Sequence, residues 1–287
     1  MGCLQSKIHV EINRYSNNSI YNLPIGLKSI TINCTYGSTL INNLPYTITE
    51  INISDQLFNQ TINNLPINLK SLRFNSSSNF NQYVDELPSE LNILIFGSEF
   101  NRTVDKLPKS LHYLQFGKNF NMLIDKLPLS LEKLIFNNNF GKFNCTINNL
   151  PQNLKIIHLS LNFNQSVDNL PPKLIEIKFG NYFNKTVDNL PQYIENIYFG
   201  SNFNKSINNL PNSVKIIKFF TFKFNDEANE YIHELNNLPS SLEILTLKIK
   251  YKHKINIIPL NLKILECGKN YPYTDNFTDK KIKVKYI

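Results

Sequence analysis

Apolar residues recur at fixed distances along this chain, in step with a series of prolines. An aliphatic residue stands three residues after each proline of the series, Leu or Ile stands six residues after it, and Phe stands eight residues after it in seven repeats. A period of this length is typical of tandem structural repeats. Twelve of the fourteen prolines belong to the series, at intervals of 20–28 residues: Pro24, Pro45, Pro66, Pro88, Pro108, Pro128, Pro151, Pro171, Pro191, Pro211, Pro239 and Pro259.

The apolar positions six and eight residues after the proline predict a short β-strand in each repeat. Two residues that are two positions apart share one face of a strand, so both side chains can point into a core. A proline placed before the strand removes no hydrogen bond from the sheet. A repeat of about 20 residues cannot bury its apolar face alone, so neighbouring repeats must stack.

This stacking predicts a β-rich repeat solenoid. We expect a leucine-rich-repeat-like curved array of about twelve short parallel strands, with turns on its convex side and little helix. The tandem repeats occupy residues 23–270. Residues 1–22 are expected to form an N-terminal segment and a degenerate capping half-repeat, in which Val10 and Ile12 keep the register without a proline. Residues 271–287 are expected to form a lysine-rich C-terminal cap strand.

The outward side of the predicted strands is the candidate binding surface. The residue seven positions after each proline lies between the two inward residues and is free to vary. Basic and aromatic residues, which are enriched at binding surfaces, follow one another at this position in the second half of the chain. An ordinary mixed solvent-exposed face is the alternative. The candidate partner-binding residues are Arg73, Gln115, His158, Lys178, Tyr198 and Lys218.

Two repeats are longer than the rest. The repeat after Pro128 has three additional residues at 140–142, and the repeat after Pro211 has eight additional residues around 226–234. In the longer insertion, Glu227, Glu230 and Glu234 are spaced as on one face of a helix. Insertions in solenoids project as loops and often carry function. A tolerated insertion without a function is the alternative.

The positive charge is concentrated at one end. Residues 248–287 contain ten lysines and three acidic residues, a surplus of seven within a net charge of +8. The segments 245–255 and 280–287 alternate lysine with apolar residues, which predicts strands with one wet face. Lysine on a terminal strand prevents edge-to-edge aggregation, so we interpret this end as a cap. Binding of an acidic partner, anionic lipid or nucleic acid by this end is the alternative, although the charge distribution disfavours nucleic acid for the whole chain.

No residue pattern indicates catalysis. The sequence lacks phosphate-binding glycine loops, zinc-protease motifs and nucleophile elbows, and its five histidines are not spaced as metal ligands. We therefore expect no enzyme activity, no cofactor, no metal and no small-molecule substrate. Four scattered cysteines, no secretory signal and no long apolar stretch predict an intracellular, cytoplasmic protein, in the host cytoplasm if the chain is viral.

The first six residues, MGCLQS, match an N-myristoylation motif. Acylation of Gly2 together with palmitoylation of Cys3 would supply the two lipid chains that stable anchoring needs. A membrane-tethered adaptor built on the same scaffold is therefore an alternative hypothesis. A coincidental match to a short motif is the other interpretation, and membrane contact is expected only if these residues are acylated.

The repeats resemble the FNIP repeat family, in which Phe-Asn and then Ile or Val precede the next Leu-Pro. The pairs that carry the resemblance are Phe80-Asn81, Phe100-Asn101, Phe120-Asn121, Phe163-Asn164, Phe183-Asn184 and Phe203-Asn204. The family is known from social amoebae and giant viruses of amoebae, and the resemblance implies a protein–protein interaction module with an unknown partner. In related architectures the recurring asparagines form a ladder between neighbouring repeats. The stretch before Leu23 is too short for the F-box that many relatives carry.

Overall fold

The computed structural model describes residues 9–13, 23–24, 26–33, 41, 44–137, 139–220 and 230–287. The chain divides into two compact units, Met1–Phe136 and Asn137–Ile287, called here the N-terminal unit and the C-terminal unit. Each unit is a parallel β-solenoid, in which successive repeats place their strands side by side. The predicted leucine-rich-repeat-like solenoid of short parallel strands with little helix is confirmed.

The N-terminal unit contains seven strands among its described residues. They are β1 (His9–Asn13), β2 (Ser29–Asn33), β3 (Glu50–Ile53), β4 (Ser71–Phe74), β5 (Ile93–Ile95), β6 (Tyr113–Phe116) and β7 (Lys133–Phe136). Each strand pairs in parallel with the next, in a register that aligns equivalent residues of successive repeats.

The C-terminal unit continues the same pattern and ends in a short helix and a last strand. Its elements are β8 (Ile156–His158), β9 (Glu176–Lys178), β10 (Asn196–Phe199), β11 (Ile216–Phe219), β12 (Ile244–Thr246), β13 (Ile264–Cys267), α1 (Asp275–Thr278) and β14 (Lys283–Tyr286). All neighbouring strands pair in parallel. In the described part of the chain, no helix is long and apolar enough to cross a bilayer.

Each proline of the series opens a β-turn, and the strand begins at the fifth residue after it. In all twelve repeats the amide of the third residue after the proline donates to the proline carbonyl oxygen, at N···O distances of 3.0–3.2 Å. The fixed φ of proline suits a turn. The aliphatic residue that ends the turn is buried, as Leu111 and Leu154 show, so the turn is attached to the core.

Two columns of aromatic rings fill the core beside the strands. The first column contains the residue eight positions after the proline, which is Phe in seven repeats. The second column contains the aromatic residue of the turn that follows the strand. Within a repeat the two rings stack closely, with centroids 3.6 Å apart for Phe96 and Phe100. The aromatic rings of neighbouring turns also stack, with the ring centroids of Phe100 and Phe120 6.1 Å apart. Offset stacking of this kind stabilises a core beyond the area that it buries.

An asparagine ladder runs beside the aromatic column, as the resemblance to FNIP repeats implied. The backbone amide of each ladder asparagine donates to the side-chain Oδ1 of the asparagine one repeat earlier, which satisfies the turn backbone. The bonds run from Asn81 to Asn59, Asn101 to Asn81, Asn121 to Asn101, Asn164 to Asn144, Asn184 to Asn164 and Asn204 to Asn184, at 2.8–3.0 Å.

All length variation among the repeats from Pro45 onward lies at one corner, between the residue eight after the proline and the aromatic residue of the turn. The second position follows the first by four residues in the shortest repeats, as from Phe199 to Phe203, and by twelve from Phe219 to Tyr231. From the aromatic residue to the next proline the distance is always eight residues. The strand, the β-turn and the aromatic column therefore keep their register whatever the length of this corner.

The predicted position and helical character of the longer insertion are wrong for its described part. Tyr231 occupies the aromatic position of the repeat and is 1 % exposed, and Leu235 fills the apolar position four residues later. The eight additional residues therefore lie between Phe219 and Tyr231, and residues 230–235 are not helical. No Phe-Asn pair marks the aromatic position of this repeat, because the pair there is Tyr231-Ile232.

The predicted strand at 245–255 is also wrong beyond its start. Strand β12 ends at Thr246, and the chain then turns, with the Tyr251 amide donating to the Lys248 carbonyl oxygen at 3.0 Å. Tyr251 and Ile255 are buried because they occupy the aromatic and apolar positions of the repeat. The alternation of lysine and apolar residues there reflects the repeat and not a strand.

Candidate partner-binding face

The outward side chains of the strands form the candidate site. We define the strand face as the residues five and seven positions after each proline, which alternate with the buried residues six and eight positions after it. The strand register aligns these positions from repeat to repeat. The face is therefore two parallel columns of side chains in each unit, built on a rigid backbone.

In the N-terminal unit, Arg73 and Gln115 lie on β4 and β6, with Ile95 of β5 between them. The guanidinium Nε of Arg73 donates to Ser71 Oγ at 3.1 Å. The Tyr113 hydroxyl donates to Gln115 Oε1 at 2.9 Å. Burial raises the pKa of Tyr113, although the charge of Arg73 opposes this effect, so the phenol is neutral at physiological pH.

In the C-terminal unit, four predicted residues are consecutive register partners: His158, Lys178, Tyr198 and Lys218. The sequence interpretation of this column as basic and aromatic is incomplete, because carboxylates lie beside it. His158 Nε2 is 2.7 Å from Glu176 Oε1.

The second carboxylate on this part of the face belongs to Glu266. Lys218 Nζ is 3.2 Å from Glu266 Oε2, and the Thr246 hydroxyl donates to the same oxygen at 2.6 Å. Burial alone would raise the pKa of Glu266, but these two hydrogen bonds and the charges of Lys218 and Lys285 lower it. The Glu266 carboxylate is therefore ionised, and both side chains of the pair are largely buried.

Sequence reasoning missed several members of the strand face. Glu176 stands five residues after its proline and could have been found by extending the outward pattern by two residues. The same column carries three half-buried isoleucines in register on β11, β12 and β13: Ile216, Ile244 and Ile264. Phe220 packs its ring on Tyr198 with centroids 5.7 Å apart, and no repeat pattern places an aromatic residue there.

The lysine-rich end does not present one continuous cationic surface. Lys248 is 3 % exposed, and its ammonium donates to the carbonyl oxygens of Ser201 and Phe203 at 2.6 and 2.8 Å. Burial lowers the pKa of Lys248 to about 8. Other lysines of this end pair with acids, since Lys263 lies 2.6 Å from Glu243 and Lys285 lies 3.6 Å from Glu266.

The remaining predicted residues do not form a site in the described structure. Glu230 Oε1 lies 3.2 Å from Lys252 Nζ, and Glu234 accepts a hydrogen bond from Asn236 at 2.5 Å. Glu227, Gly2 and Cys3 lie outside the described residues. Within the described ranges, no group of three His, Cys, Asp or Glu side chains could hold a metal ion.

Three segments match the model of the FNIP repeat family: residues 103–139, 144–182 and 183–221. These segments are FNIP repeats. Each matched segment contains two strands, β6 and β7, β8 and β9, and β10 and β11 in turn. The four residues between the first two segments include the three-residue insertion. The column of His158, Lys178, Tyr198 and Lys218 thus lies on the FNIP repeats of the C-terminal unit.

The solved structure of CroV588 shows a similar fold. CroV588, a giant-virus protein with a circular leucine-rich-repeat structure, is 28 % identical with a TM-score of 0.69, over 93 % of this chain and 47 % of that protein. The chain therefore spans about half the length of CroV588. An internalin, InlF from Listeria monocytogenes, aligns at 16 % identity and a TM-score of 0.48, over 79 % of this chain and 76 % of the internalin. None of the curated proteins matches the sequence significantly.

Proposed function

We propose that the chain is a non-enzymatic scaffold that binds a partner protein inside the cell through its strand face. A leucine-rich-repeat-like fold is typical of protein–protein interaction scaffolds. The observation that carries the proposal is the contrast between the two sides of the strands. Inward positions repeat almost unchanged, whereas the outward column changes chemistry from His158 to Lys178 to Tyr198 along neighbouring strands.

The C-terminal unit carries the proposed binding surface. Its strand face combines the Tyr198 ring, two lysines and half-buried isoleucines, and the Phe220 ring packs on Tyr198. Aromatic and basic residues of this kind contribute most of the energy at protein interfaces. Burial raises the pKa of Tyr198, and the charge of Glu176 adds to this effect, so the phenol stays neutral and can donate a hydrogen bond.

The test compares proteins captured from an amoebal lysate by the full chain and by the double variant Lys178→Glu/Tyr198→Ala. We expect the double variant to lose the partner that the unmodified chain retains. The matched control is Lys185→Glu/Tyr182→Ala, which makes the same chemical changes at exposed side chains of the turn after β9. The control should capture the same proteins as the unmodified chain.

Recovery of identical proteins by the strand-face variant would show that the proposed face is not the binding surface. Loss of capture by both double variants would instead indicate a nonspecific effect of charge. Circular dichroism of each variant distinguishes loss of binding from loss of folding.

A further inference from the structure

Phe220 stands at a position where five other repeats carry glycine. The ninth residue after the proline is Gly97, Gly117, Gly180, Gly200 or Gly268 in those repeats. A Cβ atom at these glycines would lie 1.7–2.3 Å from a backbone oxygen of the preceding repeat. The inward direction therefore has no room for a side chain. The Phe220 amide still donates to the Phe199 carbonyl oxygen at 2.8 Å, and its ring, 37 % exposed, adds to the outward surface.

Phe220 and Tyr198 form an aromatic platform, which we define by these two residues. Their rings are nearly parallel, with an interplanar angle of 15°. The ammonium of Lys178 lies 5.1 Å from the centroid of the Phe220 ring. A lysine over an aromatic face is attracted by the ring quadrupole and keeps N–H donors for another ligand. Strands β9, β10 and β11 thus place a cation and two rings side by side.

Lys178 differs from the other basic residues of β8–β13 in having no carboxylate partner among the described residues. Lys218 is paired with Glu266, and His158 with Glu176. The Lys178 ammonium instead lies over the π face of Phe220. A ligand that places a carboxylate beside this ammonium would meet an uncompensated positive charge, and the adjacent ring would cover an apolar group of the same ligand.

We propose that the aromatic platform and Lys178 bind an acidic segment of a partner protein, in which a carboxylate pairs with Lys178 and a neighbouring apolar side chain packs on Phe220. This inference rests on the proposed scaffold function and adds the chemistry of the partner. A polypeptide fits better than a nucleic acid, because a polypeptide can place one carboxylate at Lys178 and keep its neighbouring side chains apolar, whereas every nucleotide carries a phosphate that Glu176 and Glu266 would repel. The half-buried isoleucines of β11–β13 offer a continuing apolar surface for the same segment.

The experiment selects peptides from a displayed library of random twelve-residue sequences on the immobilised full chain. The affinity of selected peptides is then measured by fluorescence anisotropy. We expect enriched peptides to combine Asp or Glu with aromatic or aliphatic residues. Their affinity should decrease with ionic strength, because one ion pair at a partly exposed site is screened by salt.

Two variants test the assigned residues. Phe220→Gly installs the residue that five other repeats have at this position, so the fold is expected to tolerate it. Lys178→Gln removes the charge and keeps a flexible polar side chain. Each change should weaken binding of the selected peptides about tenfold. The matched control is Lys133→Gln in the N-terminal unit, where the ammonium also lies over an aromatic ring, 5.5 Å from the Tyr113 centroid. It should leave the affinity unchanged.

Three outcomes would overturn the inference. Enrichment of peptides without acidic residues, or the absence of enriched peptides, excludes the proposed chemistry. Binding that neither variant weakens excludes the site; if changes elsewhere on the strand face weaken it, the scaffold function stands without this inference. Finally, a labelled single-stranded DNA is tested for binding and for competition with the peptides. If the DNA competes, and if Phe220→Gly and Lys178→Gln each abolish binding of both the DNA and the peptides, the platform binds nucleic acid.

Discussion

The FNIP repeats of the C-terminal unit and the tyrosine repeats that follow them (residues 230–271) share one register but differ in their polar chemistry. In the FNIP repeats the aromatic column is Phe, and each following asparagine extends the ladder. In the tyrosine repeats the column is Tyr231, Tyr251 and Tyr271, and the ladder ends where the Ile232 amide donates to Asn204 Oδ1. Both kinds of repeat thus have an aromatic ring at the same position, but the polar groups around the ring differ. We expect this difference to affect how stability varies with pH.

The hydroxyl of each buried tyrosine is satisfied in the same way. It donates to the carbonyl oxygen two residues after the preceding aromatic residue, at 2.9 Å for Tyr231 to Lys205 and 3.1 Å for Tyr271 to His253. A buried phenol without such a partner would destabilise the core. Lys248 is another buried polar residue of this region, and its ammonium donates to the carbonyl oxygens of Ser201 and Phe203.

The largest expected effect comes from removing the Lys248 ammonium. In Lys248→Met the carbonyl oxygens of Ser201 and Phe203 lose a buried donor, so we expect the free energy of unfolding to decrease by about 2–3 kcal/mol. Urea unfolding at pH 7 measures this change. Lys254→Met, at an exposed lysine of the same repeat, should have little effect, and equal losses in the two variants would contradict the assigned role of Lys248.

The same lysine predicts a pH dependence that Lys248→Met should lack. Burial lowers the pKa of Lys248 to about 8 in the folded chain, while in the unfolded chain the pKa is near 10.4. Between these values the unfolded chain holds the proton that the folded chain has released. The free energy of unfolding should therefore rise from pH 8 to pH 10, by about 2 kcal/mol. If the free energy of unfolding changes equally with pH in the unmodified chain and in Lys248→Met between pH 8 and pH 10, Lys248 is not the source of the pH dependence.

Breaking the asparagine ladder should have a smaller effect and should distinguish the two kinds of repeat. Asn184 accepts a bond from the Asn204 amide at 2.9 Å, so Asn184→Ala should lower the free energy of unfolding by about 1–2 kcal/mol. Lys252 holds the equivalent position after Tyr251 and is exposed. Lys252→Ala should change stability by less than about 0.5 kcal/mol. A larger loss in Lys252→Ala than in Asn184→Ala would show that the ladder is not the stabilising element.

The smallest expected effect is that of Tyr251→Phe, which converts one tyrosine repeat to the ring of an FNIP repeat. The hydroxyl donates to the His233 carbonyl oxygen at 3.3 Å, and its loss should cost about 1 kcal/mol. Burial raises the pKa of Tyr251 to about 12, and the charge of Glu234 adds to this effect. Because the folded phenol keeps its proton while the unfolded phenol loses it near pH 10, stability should fall as pH rises above 10.

Circular dichroism during urea unfolding at pH 9 and pH 11 measures this pH effect. The unmodified chain should lose more stability than Tyr251→Phe over this interval. The same decrease in both proteins would show that the Tyr251 phenol does not contribute to the alkaline limb.

The inward residues of each repeat could be predicted because their spacing from the proline never changes. Leu111, Leu114 and Phe116 illustrate a pattern that identifies both the strand and the core without reference to any other repeat. The strand-face residues followed from the same register. The ion pairs did not, because Glu176 stands in the neighbouring column and Glu266 stands two strands beyond Lys218 in the same column. Whether their carboxylates reach His158 and Lys218 depends on side-chain packing.

Phe220 and Lys248 show where the sequence pattern fails. Both stand nine residues after a proline, at a position where a repeat usually has a small residue because backbone from the preceding repeat lies against it. The Phe220 ring is partly exposed, and the Lys248 ammonium reaches the Ser201 carbonyl oxygen two repeats earlier. The spacing of the prolines fixes the inward positions of each strand and contains no information about the direction of a side chain at the ninth residue.

The repeats differ in length only between the strand and the aromatic residue of the turn, so this is the place where the fold should tolerate an inserted loop. The strand, the β-turn and the aromatic ring keep their register whether the aromatic residue follows the strand by four residues or by twelve. We therefore expect that a peptide inserted after a strand such as β10 would leave the neighbouring strands in place. Each repeat would then present one inserted peptide beside the strand face, at the regular spacing of the repeats. Duplicating or deleting a whole repeat would change the number of inserted peptides and leave their spacing intact.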